Sequence, residues 1–418
     1  MSDGRNPGFH DPRMRGFKTR STVEDVLALI DGRVGPLSSE LVGLAHASGR
    51  VLTADVAAVE PLPGFDRAAM DGYAVRGEET HGADAYAPAS FVRVGAARPG
   101  RAFPRPVQAG EAVEIATGSP MPEGADTVVP VEATRLDGAT VLVGEPIPVG
   151  RHVGPRGEDL ATGALVLRAG RVLRPQDLGV LSGMGVAQVS VRARPRVTIL
   201  VTGEELLPPG SRADGFRFAD MNSPMLAALI GRDGGIPTTF GPLADDRDLI
   251  RRAVLGSSRV SDLLLVSGGS STGPEDHAPG VVAELGELSI HGVALRPASP
   301  TGLGFVNGVP VVLLPGNPVS CLCAYDLFAG RAVRRLGGRQ PEWPYRSSVV
   351  PLERKLVSAV GRVDFALVTV RDGRADPLAI GGASALSSAT RADGFVLVPA
   401  DLEGYPAGAA VTVWRYDA

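Results

Sequence analysis

The chain changes its apolar rhythm twice. Residues 196–338 alternate short unbroken apolar runs with stretches of helical periodicity. The runs at 197–202, 238–240, 263–267 and 311–314 read as strands, and 223–230, 248–255 and 318–328 as helices. Apolar strands joined by helices call for a parallel sheet covered on both faces. From about 71 to 170 the pattern is short β-prone runs broken by Gly and Pro, at 91–94, 112–116, 127–131, 140–143 and 164–167, with a helix expected at 176–183. That spacing predicts a small β-rich domain. The texture returns after Pro341, at 347–351, 365–370, 395–399 and 410–414, as a second β domain. Residues 1–17 read as an irregular basic arm with Arg5, His10, Arg13 and Arg15. Thr22 and Asp25 mark a helix start before the apolar run 26–30, and a second short helix is expected over 39–47.

The 418 residues exceed one ordinary core, so about two to four domains are expected. A net charge of −4 removes the electrostatic case for bulk nucleic-acid binding. No apolar run spans a bilayer and no signal pattern opens the chain, so no membrane partner is expected and a cytoplasmic location fits. Cys321 and Cys323 stand two apart on a predicted helix and face different directions, which favours core packing over a disulfide or zinc site. His277 and His291 lack a paired ligand spacing. Lysine occurs only at 18 and 355, so nearly every cation is Arg.

Two loops carry candidate chemistry. The strand at 263–267 empties into Gly268-Gly-Ser-Ser-Thr-Gly273, with Asp262 at its start and Asp276 beyond its end. Glycine lets backbone N–H groups approach an anion, and hydroxyls add donors. The second loop, Pro315-Gly-Asn-Pro-Val-Ser320, follows another strand; Pro315 and Gly316 make the turn, Asn317 suits an N-cap and Pro318 the first helical position. Neither loop has the Walker or dinucleotide glycine spacing. Asp71, Asp159, Glu205, Asp262 and Asp276 each lie beside a glycine or a strand end, where converging carboxylates would favour Mg²⁺ bridging to substrate phosphates.

Together these motifs resemble one family, the molybdopterin molybdenumtransferases (bacterial MoeA and the gephyrin E domain). The matching segments are Asp71-Gly-Tyr-Ala, the loop from Thr117 to Asp126, Gly157-Glu-Asp, Thr202-Gly-Glu-Glu-Leu, Asp220-Met-Asn222, 267–276 and Leu314-Pro-Gly-Asn-Pro-Val-Ser, in family order across about 20–415. The resemblance implies an α/β plus β, multidomain, elongated, homodimeric subunit. Its parts would be the arm 1–17, a discontinuous linker domain 18–58 and 150–193, an inserted β-rich domain 59–149, a MogA/MoaB-like three-layer molybdopterin-binding domain 194–340 and a C-terminal β domain 341–418. It implies insertion of molybdate into adenylylated molybdopterin with release of AMP, helped by Mg²⁺. Molybdopterin adenylyltransferase and molybdoenzyme maturation proteins would be partners. Carried over by position, Asp262 and Asp276 serve the metal. Asp71, Thr117, Asp159, Glu205 and Arg296 are catalytic. Ser267, Gly268, Gly269, Ser270, Gly273, Pro315, Gly316, Asn317, Ser320, Asn222 and Arg362 bind substrate. One segment departs. The family places three lysines where this chain has Gly292, Arg296 and Ser299, which leaves open a non-catalytic or altered-specificity paralogue, or a dimeric scaffold. A second likeness, of the α/β part alone, is to amidohydrolases of the CinA type, against which the Asp71 and Thr117 segments argue.

Overall fold

The computed structural model describes residues 17, 19–378 and 385–416; Arg5, His10, Arg13 and Arg15 of the basic arm lie outside them. Two compact units divide the chain. One takes 42–48 and 54–189, the other the residues up to Leu41, 49–53 and 190 onward.

The first unit is built on a six-stranded sheet of Gly72–Val75, Ala89–Ala97, Glu111–Ile115, Thr127–Pro130, Thr134–Asp137 and Thr140–Val143. Its strands are rich in Val and Thr, which fit a pleated, half-buried surface. Gly72 admits its neighbour: a Cβ there would stand 1.9 Å from the Val129 carbonyl oxygen. Loops at one edge are knitted together by backbone bonds, Gly118 N to Ala68 O (2.8 Å) and Ala69 N to His152 O (2.9 Å). The helix Pro175–Gly183 begins with Pro in its first turn, where the missing N–H costs nothing. Buried Asp177 accepts from the Arg174 N–H (2.9 Å) and from Arg171 Nε (2.9 Å) and Nη2 (2.8 Å).

The second unit holds an α/β sheet of β1 (Arg196–Thr202), β2 (Ile236–Leu243), β3 (Leu263–Ser267), β4 (Glu287–His291), β5 (Gly302–Val306) and β6 (Val309–Leu314), in the order β2-β1-β3-β6-β5-β4. Helices α1 (Asn222–Arg232), α2 (Arg247–Ser257), α3 (Ala278–Leu285) and α4 (Pro318–Ala324) belong to it. The apolar run 263–266 shows why it is a central strand. Leu263 and Leu265 enter one core cluster with Val197, Leu226 and Ile230, while Leu264 and Val266 enter another with Ile250, Val254 and Val281. A strand buried on both faces needs no polar alternation. The helix Val23–Arg33 carries the expected reciprocal Thr22–Asp25 cap and buries Val26 and Ile30 against the first of these clusters. After β4 the chain lends Leu295–Arg296 to another sheet, with Val363–Arg371, Gly394–Val398, Ala410–Arg415 and Arg346–Pro351, before returning as β5.

The structure corrects three expectations. The sheet is not all parallel, because β5 runs against both β4 and β6. Residues 39–47 are a strand, Ser39–Gly43, and a 3₁₀ turn, Leu44–His46: Gly43 is extended and Leu41 exposed, so no helical face is buried. The helix expected over 318–328 is α4 followed by a π turn, Tyr325–Ala329, and a further helix, Gly330–Leu336. The π turn places Asp326 in the core, where it accepts from Tyr345 Oη (2.9 Å).

The hydrogen bonds around Asp177, led by Arg171, hold its carboxyl well below the ordinary 3.8. A depressed folded value contributes stability above the unfolded value that is lost as pH falls through the folded one. Asp177→Asn should therefore lower Tm at neutral pH and lose less on acidification below about pH 4 than the parent chain does. Thermal unfolding from pH 7 to 3 checks this, and parallel acid limbs would refute it.

Candidate functional site

Three strands of the α/β sheet end level. Val201 is paired with Ser267, and Ser267 with Leu314. The residues that follow, Thr202-Gly203, Gly268-Gly269 and Pro315-Gly316, wall a cleft of about 490 Å³. Open α/β sheets place ligands at the carboxyl ends of their strands. Gly268 has φ +97°, and a Cβ on it would lie 2.3 Å from the Thr202 carbonyl oxygen, so the two strand ends meet only because the side chain is absent. Asn222 ties the other pair of loops: its Nδ2 donates to Ser267 Oγ (2.9 Å) and to the Gly316 carbonyl (2.8 Å). Asp220 starts α1, its Oδ1 accepting from the Asn222 N–H (2.8 Å) and the Ser223 N–H (3.1 Å). Three buried oxygens at this wall have no hydrogen-bond partner: Thr202 Oγ1, Asp220 Oδ2 and Asn222 Oδ1. Such groups are costly unless a ligand or water satisfies them. Behind Ser267, burial pushes the Cys321 thiol up to about 12, which makes it inert packing.

The cleft is also acidic. Glu205, Asp245, Glu275 and Asp276 line it. Burial, and after it the Glu205, Glu275 and Glu204 carboxylates, push Asp245 up, against a hydrogen bond from the Glu204 N–H (3.3 Å). Asp276 Oδ2 accepts from the Gly273 N–H and fixes the end of the glycine loop. Among the described residues no group of three or more His, Cys, Asp or Glu side chains forms a metal cage.

The cleft gathers Glu205, Asn222, Ser267, Gly268, Gly269, Ser270, Gly273, Asp276, Pro315, Gly316 and Asn317. Asn317 precedes α4, but its side chain does not cap the helix. Four expected members of this unit stand elsewhere in it. Asp262 lies before β3, at the strand end away from the cleft, and its carboxylate is taken by Arg196 through the backbone N–H (2.8 Å), Nε (3.1 Å) and Nη2 (2.9 Å). It is not a partner of Asp276 at one metal; a loop residue's place depends on strand direction. Ser320 is buried inside α4 and does not line the cleft. Arg296 gives its Nε (2.8 Å) and Nη2 to buried Asp364, so its charge is already matched. Arg362 stands on the segment leading into Val363–Arg371, with a buried Nε that has no partner, and it too is outside the cleft lining. Asp71, Thr117 and Asp159 belong to the other unit. There Asp71 Oδ1 accepts from the Thr117 N–H (2.6 Å) and Oγ1 (2.9 Å), bonds that hold its carboxyl below the usual range, while Asp159 is exposed on the 155–159 loop. Sequence reasoning passed over Asp245. It stands two residues past the end of β2, beside the N-cap Asp246, a place with no sequence mark of its own.

Three family models cover most of the chain: the MoeA N-terminal region (domains I and II) at 21–185, a probable molybdopterin binding domain at 198–335 and the MoeA C-terminal region (domain IV) at 349–416. A molybdopterin molybdenumtransferase 2 of Mycobacterium tuberculosis is 35% identical over 387 residues, 89% of this chain and 94% of that protein. A molybdopterin molybdenumtransferase of Nostoc is 32% identical over 81% of this chain and 79% of its own length. Two crystal structures of the molybdopterin biosynthesis MoeA protein of Pyrococcus horikoshii, each 30% identical, superpose with TM-scores of 0.81 and 0.78 over 96% and 95% of this chain and 100% of theirs. The chain belongs to the MoeA family.

Two substitutions test the site's construction. Gly268→Ala drives a methyl into the Thr202 carbonyl at a backbone conformation that L residues avoid; it should cost about 2–3 kcal/mol in chemical denaturation, and a cost under about 0.5 kcal/mol would show that the strand ends separate freely. Arg296→Ala leaves Asp364 buried and unpaired, and should cost about 2–3 kcal/mol, below the fully buried case because the guanidinium side is part exposed. An Arg296→Ala chain as stable as its parent would count against the pairing.

Proposed function

We propose that the chain is a molybdopterin molybdenumtransferase, which inserts molybdate into adenylylated molybdopterin and releases AMP. The observation that carries this reading is the cleft itself, in which glycine loops at the strand ends, the partnerless oxygens of Thr202, Asp220 and Asn222, and the carboxylates of Glu205, Asp245, Glu275 and Asp276 line one space. The family to which the chain belongs supports it.

The chemistry follows from these groups. The Gly203, Gly268 and Gly273 N–H groups are engaged within the fold, so the N–H groups of Gly269 and Gly316 are the ones the glycine loops would offer to the ligand's phosphates. The orphaned oxygens accept hydrogen bonds from amino or amide N–H groups, which a pterin carries along one edge. Mg²⁺ fits the carboxylates. Asp245 is raised in part by its carboxylate neighbours, a repulsion that a cation relieves. Mg²⁺ commonly takes one or two carboxylates together with phosphate oxygens rather than a protein cage. No three of these carboxylates form a cage among the described residues, so one or two of Glu205, Asp245 and Asp276 would hold it together with phosphate oxygens, and when bound it would neutralise charge on the phosphate that departs as AMP. Asp71, Thr117 and Asp159, on the other unit, are the further catalytic residues of this reading. A homodimer working in the cytoplasm with a molybdopterin adenylyltransferase completes it.

Expression in a host lacking its own insertase tests the proposal. The parent chain should restore molybdoenzyme activity, and Asp276→Ala should lower it at least about ten-fold, the order expected for one charged contact. Purified chain that binds adenylylated molybdopterin yet releases no AMP with molybdate and Mg²⁺ would refute a catalytic role.

A further inference from the structure

The described residues of the segment 17–21 lie against the loop that leaves β4. Ser21 N donates to the Gly292 carbonyl (3.0 Å), and Ala294 N donates to the Ser21 carbonyl (2.8 Å). The ring of Phe17 meets His291 edge-on at 4.9 Å and fills the space over Gly292, where a Cβ would come within 2.5 Å of it. His291 Nε2 in turn shares a hydrogen bond with the Ser270 carbonyl (2.9 Å) in the glycine loop. A strap from the start of the chain thus reaches the wall of the cleft through two rings. Arg20, on that strap, donates from Nε to Ser299 Oγ (3.0 Å), and the next residue, Pro300, lines the cleft.

The charge around this loop is unbalanced. Arg296 is matched by Asp364. Arg362 is set beside the same loop by the pairing of Leu295 with Val363, and it has no ion-pair partner among the described residues. Arg20 is exposed and likewise has none among the described residues; it contacts Ser299 and the face of Phe17 at 5.9 Å. With Nε engaged by Ser299, the two terminal nitrogens of Arg20 form a fork suited to a tetrahedral oxyanion.

We propose that Arg20 is an anion-binding residue of the cleft, brought to its rim by residues 19–21 and Phe17 and held there by Ser299. The proposal rests on the reading of the cleft as the site for adenylylated molybdopterin and molybdate. The oxyanion is either a phosphate of the adenylate or molybdate itself.

Steady-state AMP release, measured while each substrate is varied in turn, separates these sources in Arg20→Ala, Arg20→Lys and Phe17→Ala. Arg20→Ala should raise KM for one substrate about ten-fold with a smaller change in kcat, and the substrate affected identifies the anion. Arg20→Lys should recover part of the loss. The difference from the parent should shrink as ionic strength rises, and Phe17→Ala should fall between the parent and Arg20→Ala. Unchanged KM for both substrates in Arg20→Ala overturns the proposal, as does an equal KM rise in Arg20→Lys accompanied by a lowered Tm, which marks a structural role. If the parent chain releases no AMP, the functional reading fails on its own. Calorimetric titration with ADP and with tungstate then decides Arg20 separately: weaker binding of either probe by Arg20→Ala sustains the proposal, and equal binding, or no binding of either by the parent, overturns it.

Discussion

The cleft depends on one close approach, the backbone of Gly268 against the carbonyl of Thr202. Side chains anywhere along β1 and β3 can be exchanged for others of similar volume, because the two strands are held by ladder bonds and by apolar clusters on both faces. At the strand ends no such exchange exists. A methyl at 268 would stand inside the carbonyl's van der Waals shell, so the loops after β1 and β3 would part and the N–H groups between them would turn away from a common point. Asn222 then works as a second clamp. Its amide spans Ser267 and Gly316, so the loop after β6 is registered against the loop after β3 by a side chain from a helix that neither strand precedes. Geometry set by an absent side chain on one side and a bidentate donor on the other is rigid without being bulky, which is what a phosphate cradle requires.

How far this was legible in the sequence depends on the reach of the forces involved. The strand at 263–267 announces itself because both its faces are buried, and an unbroken apolar run has no other stable place in a sheet of this kind. The cradle glycines follow from it. Asp262 shows the limit. It stands one residue before that strand, and in a linear text it looks as close to the glycine loop as Asp276. Five residues of extended chain carry the backbone about 17 Å, so one acid reaches the cleft and the other pairs with Arg196 at the far end. Ser320 fails for the helical counterpart of this reason, since two residues beyond Pro318 the α4 backbone has turned inward. Asp245 was missed because its neighbour Asp246 already had a local role as an N-cap, and a second acid beside a capped helix carries no sequence mark of its own. Residues 39–47 look helical by apolar count, but nothing buries the face that the count supposes.

The electrostatics of the cleft carry a further constraint. The chain is acidic overall, and several carboxylates line the cleft. An anionic ligand approaches such a wall only if positive charge or fixed N–H dipoles offset it. The glycine loops supply dipoles at short range, and the divalent cation of the proposed reading would supply charge among the carboxylates. What remains is the rim near Pro300, on the segment of Gly292, Arg296 and Ser299, the places that the sequence resemblance gives to lysine. Of these only Arg296 is cationic, and Asp364 consumes its charge.

The glycine and the serine are not simply losses, because each makes room for something from elsewhere in the chain. A side chain at 292 would collide with Phe17, so the strap and a bulky residue at that place exclude one another. Ser299 is short enough to leave space for a guanidinium and polar enough to hold it, accepting from Arg20 while donating to the Val293 carbonyl (3.1 Å). The two substitutions are therefore coupled through one segment: Phe17 fixes the strap where glycine permits it, and the fixed strap delivers Arg20 to the serine. A cation carried on a paired segment loses less freedom on binding an anion than one at the end of a long unsupported lysine. Arginine in place of lysine also favours a tetrahedral oxyanion over a point-like acceptor, since its two terminal nitrogens lie in one plane at fixed spacing. Loss of lysines along 292–299 and retention of an anion-binding rim are thus compatible, provided that the segment before the first helix counts as part of the site.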